Sequence, residues 1–159
     1  MEIIYHPIGV IHTPFQEIEG MPIQPSGAQG VRGRVEVYPQ YLPGLNDLGG
    51  FSHLILIYHF HHVKEAQLVV TPFLDTQPHG VFATRAPKRP NPIGLSVVRL
   101  LEVTDNILLV ENVDILDGTP LLDIKPCVPV FDHPPVERVG WLENVQGAAL
   151  HKRSDRRFR

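Results

Sequence analysis

Proline and glycine punctuation constrains this chain more than any other feature. Sixteen prolines and 13 glycines fall between apolar runs too short for a series of long helices. Such spacing favours short strands joined by turns. Val35 and Val37 alternate with Arg34, Glu36 and Tyr38, the signature of a strand with one buried face. Residues 3–11 read as a first strand and 15–30 as a loop rich in Gly, Pro and Gln. A short helix is expected over 40–48, with Pro43 near its start. The aliphatic centre of Phe51–His62 suggests a strand buried on both faces.

Further strands are expected over 67–73 and 79–84, and 85–94 reads as an irregular loop holding three prolines. Leu95–Val103 and Ile107–Ile115 read as antiparallel neighbours joined by a tight turn at Asp105-Asn106. A second turn at Asp117-Gly118 precedes a short strand over Leu121–Ile124. Trp141, Leu142, Val145, Ala149 and Leu150 recur at helical spacing, predicting a helix packed on the barrel or on a partner subunit. The fold class expected is mainly β, a barrel or sandwich with few helices. No G-x-G-x-x-G follows a strand, the βα alternation is missing and there is no P-loop, so a dinucleotide-binding reading is set aside.

A length of 159 residues fits one domain, and 43% hydrophobic content fills one core. With a net charge of −3, nucleic-acid contact would need a local basic patch. A lone cysteine, Cys127, forms no intramolecular disulfide and suits a reducing compartment. No basic-then-apolar leader and no run of about 18 apolar residues is present, so a cytoplasmic protein off the membrane is expected.

Three segments hold candidate chemistry. In Gly80–Ser96, Arg85, Lys88 and Arg89 cluster in a proline-stiffened loop, with Asn91 as donor and acceptor and Gly94 allowing close backbone approach to a ligand. Arginine suits a carboxylate or phosphate through two hydrogen bonds. A stiff solvated loop is the equal alternative. In Asp114–Pro126, a turn flanked by Asp114 and Asp123 could present backbone groups and a carboxylate to a ligand, or be an ordinary hairpin. His53, His59 and His61 share one face of an extended strand, but no carboxylate stands at a recognised metal spacing, and no metal is expected. The run 152–159 holds five basic residues and one acid and reads as a mobile arm. Either it is a solvated tail, or it grips an RNA backbone with Phe158 free to stack.

The blocks Ile8–Phe15, Phe51-Ser52-His53, Gly80–Arg85, Arg89–Gly94, Asp117–Pro120 and Asp123–Pro126 are similar, in order and separation, to the tRNA threonylcarbamoyladenosine methyltransferases of the TrmO type. The likeness spans roughly residues 3–131. It implies a compact non-Rossmann β-barrel methyltransferase over 1–135, followed by a C-terminal helix and basic tail over 136–159. It further implies S-adenosyl-L-methionine as methyl donor, N-methylation of threonylcarbamoyladenosine beside the tRNA anticodon, and a homodimer with pockets near the subunit interface. Carried over by position, cofactor contacts would come from Gln24, Pro25, Ser26, His61, His62, Arg85, Leu95, Leu116, Asp117, Gly118 and Thr119. Lys88, Arg89 and Asn91 would serve the substrate, and no residue stands out as the catalytic base. Longer members of that family carry a further C-terminal domain that helps to hold tRNA. A methyltransferase of another substrate, and a non-catalytic cofactor-binding module, are the alternatives.

Overall fold

The computed structural model describes residues 1–143, 145, 148–149 and 151–158. These residues include eight strands: β1 (Gly9–His12), β2 (Arg32–Val37), β3 (His53–His59), β4 (Val69–Val70), β5 (His79–Gly80), β6 (Ile93–Thr104), β7 (Ile107–Glu111) and β8 (Thr119–Pro126). Six of them close an antiparallel barrel in the order β1-β2-β7-β6-β3-β8, while β4 and β5 pair apart from it. Closure gives each of the six strands a neighbour on both sides.

The period-2 pattern fills the barrel. Val35 and Val37 of β2, Leu54, Leu56 and Tyr58 of β3, Val98 and Leu100 of β6, and Leu108 and Val110 of β7 all point inward and are buried. Arg34 and Glu36 alternate outward with them. The β6–β7 hairpin turns at Asp105-Asn106 as its sequence predicts, with Thr104 opposite Ile107 and Asp105 at φ 52°. At the Asp117-Gly118 turn, Gly118 takes φ 75°, which costs glycine little.

Several expectations need correction. The first strand starts at Gly9, because Pro7 offers no N–H to the sheet; Ile3, Ile4 and Tyr5 stay exposed. β3 is not buried on both faces. Leu54, Leu56 and Tyr58 are inside, whereas Ile55, Ile57 and His59 are half-buried on a barrel exterior without flanking helices. β7 stops at Glu111, and Asn112 at φ 67° turns Val113 and Ile115 under the barrel. The short helix expected over 40–48 is present as a 3-10 helix over Pro39–Leu45, with Pro43 inside it rather than near its start, and Leu45 and Leu48 close one end of the core. Within 79–84, only His79 and Gly80 are strand, and Val81–Ala83 is a 3-10 turn.

The end of the chain differs most. Gly140–Leu142 is a 3-10 turn in place of the start of an amphipathic helix, and Leu150 lies outside the described residues. Trp141 packs beside β5 rather than on the barrel. Its ring stacks on His79 at 4.5 Å, and its indole N–H donates to the Ala83 carbonyl at 2.8 Å. The basic tail is docked, not mobile. Phe158 is 4% exposed and meets Phe73 edge-on at 5.2 Å within a second apolar cluster of Val70, Val81 and Ala86. It is therefore not free to stack on a base. The Ser154 hydroxyl donates to the Ile18 carbonyl, and the Ser154 carbonyl accepts the Gly20 amide at 2.9 Å. Arg157 donates to the Pro72 carbonyl at 2.6 Å, and Arg156 pairs with Glu19 at 3.0 Å. No helix among the described residues is long and apolar enough to cross a membrane.

Candidate functional site

A cavity of about 830 Å³ opens where the barrel wall of β3 and β6 meets the 82–89 loop, the first loop and the C-terminal segment. That size lies within the range of roughly 300–1,000 Å³ typical of small-molecule sites. Aromatic and apolar groups dominate its walls: Phe60 from the barrel side, Phe82 from the proline loop, Trp141 from the C-terminal segment. Phe82, at 74% exposure, and Leu95, at 48%, stand at its rim.

The proline loop is held by its own polar groups. Arg89 donates through Nη1 to the carbonyls of Val81, Thr84 and Ala86 at 3.1, 2.8 and 3.4 Å, and its guanidinium lies 5.8 Å from the centre of the Phe82 ring. The Thr84 hydroxyl donates to the Val81 carbonyl at 2.8 Å and accepts the Ala86 amide at 3.2 Å. Arg89 is thus occupied in shaping the loop, although part of it lines the cavity. Arg85 between these anchors is exposed, and among the described residues its Nη1 reaches only Gln24 Oε1, at a long 3.4 Å. It retains most of its donors for a ligand.

Opposite lies Asp114, which the sequence offers as one flank of a turn, joined to two partners that the turn pattern does not include. Asp114, which lines the cavity, accepts a 2.6 Å hydrogen bond from the Ser96 hydroxyl. Ser96 in turn lies 2.9 Å from the Tyr58 hydroxyl. Burial pushes the Asp114 carboxyl up to about 6, opposed by the Ser96 hydrogen bond and by the Arg85 charge. Burial also raises the Tyr58 phenol, as does the nearby Asp114 charge, so it remains a donor. Gly94 makes this arrangement possible, because a methyl group there would collide with the Tyr58 ring and with Phe60. What approaches the Gly94 backbone is Tyr58 rather than a ligand. A readable signal did exist: Ser96 and Tyr58 are the polar members of two inward-facing apolar alternations.

Of the residues that sequence reasoning assigned to the site, Gln24, Arg85, Arg89 and Leu95 come together on the cavity wall. Pro25 and Ser26 follow Gln24 in a 3-10 turn outside it. Leu116–Thr119 closes on itself through a 2.7 Å bond from the Thr119 hydroxyl to the Leu116 carbonyl. Asp117 is engaged there: it accepts the Thr13 amide at 2.9 Å and the Gln16 side-chain amide at 3.2 Å. The Thr13 amide is the main cause that holds its carboxyl below the usual range. His61 and His62 meet edge-on at 4.3 Å beyond the end of β3, and burial, reinforced by His62 and His59, lowers the His61 imidazole. Lys88 and Asn91 lie on the outer part of the proline loop and off the cavity wall. Among the described residues, no three His, Cys, Asp or Glu side chains gather as a metal site.

Residues 10–133 match the tRNA-methyltransferase O N-terminal domain. The chain belongs to that family. A probable S-adenosyl-L-methionine-binding protein of Pyrococcus abyssi is 56% identical over 98% of this chain and 85% of its own length. The tRNA (adenine(37)-N6)-methyltransferase of Escherichia coli is 34% identical over 92% of this chain and 66% of its own. The solved structure of TrmO from Pseudomonas aeruginosa superposes with a TM-score of 0.75 at 39% identity, covering 89% of this chain and 63% of that one. This TrmO-family barrel therefore spans just under two thirds of both of those longer relatives.

Proposed function

We propose that this TrmO-family chain is an S-adenosyl-L-methionine-dependent methyltransferase that N-methylates threonylcarbamoyladenosine beside the tRNA anticodon. One observation carries the reading: a single cavity sets an uncommitted guanidinium, Arg85, and a desolvated carboxylate, Asp114, among aromatic walls. The cofactor has an adenine and a carboxylate, and the cavity suits both. Phe82 and Trp141 offer faces to a flat ring and Arg85 suits the carboxylate, while Asp114 remains available to the acceptor. When bound, the cofactor supplies an activated methyl group and a good leaving group. The protein's share is alignment of donor and acceptor, which supplies much of the rate in a displacement of this kind.

Gln24, Arg85 and Leu95 are the direct cofactor contacts in this reading, with Pro25 and Ser26 shaping the loop behind Gln24. His61, His62, Leu116, Asp117, Gly118 and Thr119 are assigned to a homodimer, in which a second copy covers the open mouth of the cavity. The exposed apolar rim of Phe82, Ile93 and Leu95 supports such cover. Lys88 and Asn91 are left for the RNA. A second reading, a cofactor-binding module without turnover, is favoured by the name of the Pyrococcus relative, which speaks only of binding.

Mass spectrometry of tRNA nucleosides from a strain lacking the gene separates the two. Disappearance of the methylated form of threonylcarbamoyladenosine, restored by the intact gene, is the expected result. An unchanged nucleoside profile excludes this substrate.

A further inference from the structure

We propose that Asp114 is the general base of the reaction, taking the proton from the acceptor nitrogen as that nitrogen is methylated. The inference rests on the methyl-transfer reading above. Its footing is a directed hydrogen-bond chain that ends in the cavity. The Tyr58 hydroxyl, held protonated, donates to Ser96 Oγ at 2.9 Å. That leaves Ser96 to donate its one proton to Asp114 Oδ1 at 2.6 Å. Tyr58 and Ser96 are 5% and 1% exposed, so water does not break the chain. Among the described residues no other side chain donates to the carboxylate, whose further hydrogen bond is to its own backbone amide, and Asp114 lines the cavity.

The groups facing Asp114 come from three elements: Tyr58 from β3, Ser96 from β6 and Arg85 from the proline loop. Their balance, with burial dominant, sets the carboxyl at about 6. It is then ionised at neutral pH and more basic than an ordinary carboxylate, as a general base requires. No other titratable group fits the role as well. Asp117 is tied to Thr13 and Gln16, and the histidines at 59–62 do not line the cavity.

The step balances without an outside reactant. The acceptor nitrogen forms a bond to the methyl carbon, and the carbon–sulfur bond breaks with its electron pair passing to sulfur, which becomes a neutral thioether. The N–H proton passes to the Asp114 carboxylate, and the resulting carboxylic acid later loses it to water. Ser96 is a positioning residue, which orients the carboxylate and keeps it from becoming more basic still.

The test uses the full chain, labelled S-adenosyl-L-methionine and tRNA carrying threonylcarbamoyladenosine. Asp114→Asn keeps the shape of the side chain. It is expected to bind the cofactor within about twofold of wild type by calorimetry while kcat falls by roughly 10²–10⁴. Ser96→Ala is expected to keep its plateau rate at high pH but to move the acid limb of kcat/KM upward, since a hydrogen bond that lowers the carboxyl is lost. An Asp114→Asn variant with wild-type kcat, or one whose cofactor affinity drops tenfold or more, overturns the assignment; the second result would make Asp114 a cofactor ligand. An unmoved acid limb in Ser96→Ala overturns it as well. If wild type itself methylates no RNA, the methyl-transfer reading fails first and the base falls with it.

Discussion

Phe158→Ala tests whether the C-terminal segment is a docked wall of the cavity. Phe158 is 4% exposed, packs edge-on against Phe73 and lines the cavity together with Ser154. Truncating a buried Phe costs about 3–5 kcal/mol in a core. The low end applies here, because a terminal segment can undock without unfolding the barrel. The exposed pairs of Arg156 with Glu19 and Arg157 with Asp155 contribute at most about 1 kcal/mol each, so the apolar contact dominates docking. Hydrogen exchange reads this directly. The Gly20 amide donates to the Ser154 carbonyl at 2.9 Å, and the Met21 amide donates to Ser154 Oγ at 3.2 Å. A loss of about 3 kcal/mol accelerates both by about 150-fold, at 1.4 kcal/mol per factor of ten. Amides of β3 and β6 should change little. Unchanged exchange at Gly20 and Met21 would show that Phe158 does not hold the segment. Equal acceleration in the barrel would show that segment and barrel open as one unit.

Gly94→Ala drives a methyl group into the Tyr58 ring and is expected to destabilise the barrel by about 1–3 kcal/mol, a cost typical of overpacking. Thermal unfolding checks it, and an unchanged Tm would mean that Tyr58 yields freely. Arg85→Ala is expected to weaken cofactor binding by about 1.5–3 kcal/mol if the guanidinium holds the cofactor carboxylate. Calorimetry with unaltered affinity would remove Arg85 from the site. Asp117 has a carboxyl depressed chiefly by the Thr13 amide, so its stabilising effect is complete above the ordinary Asp value of about 3.9 and is lost as pH falls through its lower folded value. Asp117→Ala should therefore lower Tm at neutral pH, with the gap to wild type narrowing in acid. A gap independent of pH would contradict the bond to Thr13.

Local periodicity made most of the barrel legible. The alternation at Val35 and Val37 and the hairpin at Asp105-Asn106 depend on neighbours a few residues apart, and both turn out as read. Closure did not, since β1 lies between β2 and β8, strands distant from each other in the chain. Arg89 read as a ligand-binding cation, yet its donors satisfy carbonyls of its own loop. A lone Phe among arginines read as a tail because its apolar partners, Val70, Phe73, Val81 and Ala86, lie far back in the sequence. Asp114 reads in sequence only as one flank of a turn, because its partner Ser96 is fixed by the pairing of β6 with β3, not by sequence proximity.

The most direct test of the central claim is transfer of a labelled methyl group from S-adenosyl-L-methionine by the purified chain to tRNA with and without the threonylcarbamoyl group. Label on the threonylcarbamoylated tRNA alone is the result this account predicts. Cofactor binding with no label on either tRNA, or equal labelling of both, would contradict it.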